Sequence, residues 1–256
     1  MNYFFLTSNG AIDSEIQVPK YRNDGLKKQG IKLFSAKIEK GKWFIVEVIC
    51  DSNENFFFVN SNSNDPQAIY FLATEAEVQA NTHKSGDTLV NYNDFTDTIP
   101  DYRASLSVQN KYGAVSSYQS DYPFNMVERK GSLTSAVHSL SNHNAKSNYI
   151  IIRNIYCHPI TEKYPGYLVD KQSKEVIKEF SLFTNSSNFI QIENEIINEN
   201  LYIVAKGYLG IPIYLSEGKN NELSFEHTHP PHENINGDRK FQLVSRARNE
   251  ILDIVS

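Results

Sequence analysis

Long hydrophobic runs, clustered basic residues and cysteine are all scarce in this chain, and each scarcity closes off a class of protein. No segment approaches the roughly 20 apolar residues that span a bilayer, so no membrane partner is expected. Lysine and arginine form no run, and 25 basic against 30 acidic residues leave a net charge of -5. A polyanion therefore finds no electrostatic footprint, and nucleic acid is not an expected partner. The apolar stretch Tyr3 to Leu6 is too short for a signal h-region and has no basic n-region before it. The two cysteines, Cys50 and Cys157, lie in apolar strand-like stretches and read as buried thiols rather than a disulfide. Together these features predict a cytoplasmic protein. The glycine-rich dinucleotide and Walker loops, the CxxC pair, the HExxH helix and the Gly-x-Ser-x-Gly elbow are absent as well, which removes the standard routes to nucleotide binding and serine hydrolysis.

What remains is ordinary globular composition: 256 residues, 40% hydrophobic and 21% charged. Collagen, coiled coil and wholesale disorder are excluded, and the length suffices for one large or two smaller cores. The periodic segments read mostly as strands. Residues 31–38 and 43–50 are β-branched and aromatic runs joined by Glu39-Lys40-Gly41-Lys42, a hairpin signature. Phe56, Phe57, Phe58 and Val59 form a continuous apolar run suited to a strand buried on both faces, and residues 68–73 resemble it. Residues 74–100 are polar and weakly periodic, apart from one helical turn expected at 74–79. A second hairpin is expected from Leu106 to Tyr118 around Lys111-Tyr112-Gly113. Leu133, Ala136, Val137 and Leu140 fall at helical spacing and predict a helix over 132–140.

From residue 148 onward about seven strand-like runs follow at short spacing, which suggests a β-sandwich. Phe241, Val244, Arg248, Ile251, Leu252 and Val255 then form an amphipathic stripe with Asp238 available as a cap. The predicted fold is mostly β: an N-terminal β-rich region (residues 1–147), and a C-terminal β-sandwich closed by an amphipathic helix (residues 148–256). The two could equally form a single domain. No internal repeat is evident.

One dense cluster could carry chemistry, Glu226-His227-Thr228-His229-Pro230-Pro231-His232-Glu233. On a strand continued to His229, His227 and His229 share a face and could share a divalent metal: zinc, iron or manganese. His232 would be a third ligand after the Pro-Pro turn, and Glu233 a ligand or catalytic base. The spacing His227, His229, Glu233 resembles the first half of the cupin metal motif, and the His-Thr-His-Pro wording is similar to the germin box. That resemblance implies a metal site, but it covers seven residues. No histidine follows His232, and the residues beyond Glu233 read as a helix where a cupin has further strands. The competing reading is a turn rigidified by prolines, with imidazoles packed locally.

Two other places carry candidate chemistry. Cys157-His158 pairs a thiol with an imidazole, but adjacent strand residues face opposite sides, which favours a structural role. Tyr118, Tyr122 and Phe124 could stack on a sugar or a partner surface. The preferred expectation is thus a binding or structural β-sandwich module for a glycan or protein partner, using Tyr118 and Tyr122. The alternative is a metal-dependent enzyme at the histidine cluster.

Overall fold

A computed structural model describes residues 2–22, 25–81, 86–92, 103–128, 131–137, 142–227 and 237–256. Strands begin and end where local chemistry dictates. β1 (Asn2–Phe5) and β2 (Ile12–Pro19) precede β3 (Ile31–Glu39) and β4 (Lys42–Glu47). The last two form the expected hairpin, with Glu39 opposite Lys42 across Lys40-Gly41. Both turn residues have positive φ, 49° and 74°, as the tightest hairpin turns require. β5 (Asp51–Ser52), β6 (Phe56–Asn60) and β7 (Ile69–Thr74) lead into α1 (Glu75–Ala80). The helix starts there because Thr74 and Glu77 cap each other: Glu77 N–H donates to Thr74 Oγ1, and Thr74 N–H donates to the Glu77 carboxylate at 2.7 Å. β8 (Ser105–Asn110) and β9 (Val115–Gln119) form the second hairpin, and β10 (Tyr122–Pro123) runs into the short α2 (Phe124–Val127).

Beyond these come β11 (Leu133–Ala136), β12 (Ser147–Arg153), β13 (Lys163–Asp170), β14 (Glu175–Phe183) and β15 (Ser187–Ile192). β16 (Leu201–Ala205), β17 (Ile211–Glu217), β18 (Leu223–His227) and α3 (Lys240–Leu252) complete the order. The chain is mostly β with one short C-terminal helix, as the periodicity predicted. The described part of the helix expected over 132–140 is instead strand β11, antiparallel to β16. Leu133, Ser135 and Val137 are buried in alternation, so the period is two, and the apolar spacing that suggested a helix is incidental. Thr134 and Ser135 are poor helix formers, and a neighbouring strand offered them a partner.

Two compact units arise. The first comprises Met1–Arg129, Ile155–Thr161 and Thr184–Ser187; the second comprises Lys130–Asn154, Glu162–Phe183 and Asn188–Ser256. The first holds two five-stranded sheets, ordered β10-β1-β7-β3-β4 and β5-β6-β2-β8-β9. β1 and β7 are buried on both faces, which explains their unbroken apolar sequences. Aromatic rings dominate this core: Phe71 meets Tyr3 edge-on at 5.7 Å and stacks on Phe34 at 5.8 Å and Tyr92 at 5.0 Å.

The second unit holds two four-stranded sheets, β11-β16-β13-β14 and β15-β12-β17-β18. Ile150, Ile152 and Ile190 from one sheet and Leu168, Leu182 and Ile203 from the other belong to a single buried cluster. Each such side chain contributes about 1.5–3 kcal/mol by leaving water. On the opposite face of β13 and β16, Val169 and Val204 are covered by Ile251, with Leu252, Ile254 and Val255 alongside. The stripe expected along the terminal helix is therefore used at its last turn, while Phe241 and Leu243 stand 64% and 54% exposed. Arg239, not Asp238, occupies the N-cap, and no side chain caps the helix there.

Candidate functional site

Of the predicted metal cluster, His227 is the one member inside the described residues; His229, His232 and Glu233 lie outside them. His227 ends β18 opposite Ile213 of β17 and is half-buried, on the same side of the strand as buried Phe225, while Glu226 points to solvent. Among the described residues no group of three or more His, Cys, Asp or Glu side chains is placed to hold a metal ion.

The aromatic pair is split by burial. Tyr122 is fully buried, with Tyr3 as its register partner between β10 and β1. Its ring belongs to the core, which corrects the expectation that it faces a ligand: the side chain has no exposed surface to offer one. Tyr118 lies on β9 opposite fully buried Leu106, and it is half-exposed. Phe124 is likewise half-buried, its ring 6.0 Å from that of Tyr3. Cys157 and His158 lie in a bend beyond the end of β12 and not on the strand expected there, so strand alternation does not part them; Cys157 is buried and His158 exposed. Burial pushes the Cys157 thiol upward, away from thiolate character.

β9 forms one edge of its sheet, with β8 on its inner side and no strand on the other among the described residues. Ser120 N–H donates to Ala104 O and Asn110 N–H to Ala114 O. Even-numbered residues of this segment thus turn their backbone groups toward β8, and Val115, Ser117 and Gln119 turn theirs outward. Val115 is 59% exposed, and Tyr112, in the preceding turn, 55%. No lysine, proline or bulge interrupts Val-Ser-Ser-Tyr-Gln, although these are the usual guards of an open edge.

Two further features escaped the sequence reading. A polar groove of about 430 Å³ in the first unit is lined by Lys37, Glu39, Asp65, Gln67 and Asn185 above Trp43. Its polar groups are largely spent within the fold. Asn185 donates to His158 O and Ile160 O, Gln67 accepts from Ser187 N–H, and the Trp43 indole donates to Cys157 O at 2.8 Å. The second feature is Asp121, whose carboxyl burial raises to about 7 against the opposing pull of the Asn2 hydrogen bond, the Ala104 amide and the Arg103 charge. Neither feature has a local sequence signal, because each is assembled from segments far apart in the chain.

Compared with protein-family models and with curated proteins, the sequence matches none. No helix among the described residues is long and apolar enough to cross a membrane.

Proposed function

We propose that this chain is a non-catalytic binding module that holds an extended segment of a protein partner along β9. The observation that supports it is the open edge itself: outward-facing backbone groups at Val115, Ser117 and Gln119, with no charged residue or proline within the strand; the Arg103 cation at its end donates to Gln119 Oε1 at 2.6 Å. Tyr118 and Val115 supply side-chain contacts on the two faces of such a strand. The burial of Tyr122 removes the second ring a sugar would need, which favours a peptide over a glycan.

The same proposal includes a β-sandwich architecture for the second unit, supported by the core cluster shared between its two sheets. It also includes residence in a reducing compartment, supported by Cys50 and Cys157 being separate thiols. The test is selection of displayed peptides on immobilised protein. Peptides enriched on the wild type should lose at least tenfold in affinity on Ser117→Pro, which deletes one outward N–H and leaves pairing with β8 in place. Tyr118→Ala should weaken them without unfolding the protein. Peptides that bind Ser117→Pro as tightly as the wild type would remove β9 as the site.

A further inference from the structure

We infer that the edge of β14 is a self-association surface, on which a second copy of this chain pairs antiparallel about a two-fold axis at Phe180. β14 is nine residues long and, among the described residues, bounds its sheet, with β13 on one side. Val176, Ile177 and Phe183 are 45%, 41% and 41% exposed along it. The inner edge is well used: β13 pairs with β14 from Lys163 opposite Phe183 to Asp170 opposite Glu175. Phe180 lies over Gly166, where even a Cβ would collide with its ring.

Which backbone groups face outward follows from Phe183. Its N–H donates to Asn188 Oδ1 at 2.7 Å, and its carbonyl accepts from Asn188 Nδ2 at 3.0 Å, so neither serves β13. By alternation, Glu179 and Ser181 also turn their backbone groups away from β13, and those of Phe180 and Leu182 turn inward. The two usual guards of an edge do not act here. The Lys178 ammonium is held on its own chain by the Glu193 carboxylate at 2.7 Å and by Gln191 O at 3.1 Å. The bulge falls at Ile177, before the stretch from Glu179 to Ser181.

Charge and hydrogen bonding then select the register. In a two-fold antiparallel pair, opposed residues share a face, so the axis passes through a residue. An axis at Lys178 sets lysine against lysine, and one at Glu179 sets carboxylate against carboxylate. An axis at Ser181 needs the Phe183 groups that Asn188 already holds. With the axis at Phe180, Glu179 and the partner's Ser181 exchange both backbone hydrogen bonds, and the reciprocal pair does the same. Phe180 then faces the partner's Phe180 in the closer, non-hydrogen-bonded position. The edge strand β4, by contrast, is already engaged, since Trp43 N–H donates to Gly86 O.

Sedimentation velocity on the full chain over a concentration series tests this. The wild type should pass from monomer to dimer as concentration rises. Ser181→Pro removes the outward N–H and should remain monomeric throughout, with unchanged circular dichroism and melting. Ser181→Arg faces Glu179 of the partner twice and should lower the concentration of half-dimerisation at least tenfold. A wild type that stays monomeric to its solubility limit would overturn the inference. So would a Ser181→Pro that dimerises like the wild type, or a Ser181→Arg with no effect.

Discussion

The two units solve the same packing problem with different side chains. In the first, stability is concentrated in a few large rings, with Phe71 touching three others. In the second, branched aliphatic side chains from two sheets share the load. The tyrosines of that core bring their hydroxyls to partners: Tyr214 Oη lies 2.9 Å from Ser135 Oγ and 3.0 Å from Ala136 O, and Tyr208 Oη 2.9 Å from Asn188 Nδ2. A ring-based core is sensitive at single positions, whereas an aliphatic one is sensitive to the polar atoms it encloses.

The sharpest way to break this contrast is Phe71→Ala, expected to cost about 3–5 kcal/mol, against about 1 kcal/mol for Ile152→Val in the second unit. Trp43 is the sole tryptophan, is buried, and lies in the first unit. Its fluorescence in denaturant should therefore report the Phe71 variant's loss directly. Equal shifts for the two variants would erase the contrast. Next comes Tyr214→Phe, which leaves Ser135 Oγ without its hydroxyl neighbour at a buried position and should cost about 1–3 kcal/mol by chemical denaturation. A loss below the scatter of the measurement would show that the enclosed hydroxyl contributes little.

Asp121 sharpens the comparison through pH. Its carboxyl titrates near 7 in the folded chain, raised by burial above the ordinary 3.8, so the native state binds the proton more tightly than the unfolded state. The contribution to stability is complete below the unfolded value and is lost as pH rises through the folded one. Part of the residue still meets solvent, so we expect a fall of about 2 kcal/mol between roughly pH 4 and pH 7. Asp121→Asn should flatten that slope and melt higher than the wild type at pH 8; an unchanged slope would assign the pH dependence to other groups. The smallest effect is expected at the β3–β4 turn, where Lys40 has φ of 49°. Lys40→Asn suits that conformation better and should stabilise by roughly 0.5 kcal/mol, seen as a small rise in Tm.

Much of the fold was legible because its signals are local. The two hairpins, the helical turn at Thr74 and Glu77, the strand over Phe56 to Val59 and the run of strands after residue 148 each depend on neighbours within a few positions; the expected burial of that strand on both faces does not hold, since Phe56, Phe57 and Phe58 are only half-buried. β11 was misread for the opposite reason: four residues of Leu-Thr-Ser-Ala carry too little periodicity to override the strand that awaits them. The placement of Tyr118 on a strand was legible, because it belongs to a run bounded by turn residues. The burial of Tyr122, four positions on, was not legible, because it depends on pairing with β1, which is distant in sequence.

The sequence by itself determined the strand content, the turn positions and the terminal helix, since side-chain alternation and turn stereochemistry act over two to four residues. Tertiary structure alone decided which strands became edges. It also decided that segments Ile155–Thr161 and Thr184–Ser187 join the first unit while their neighbours join the second. Strand order is set by which apolar faces bury each other across the whole chain, and no local pattern encodes that choice. For that reason the edge positions of β9 and β14 among the described residues, on which the proposed interactions rest, became visible only in the assembled sheets.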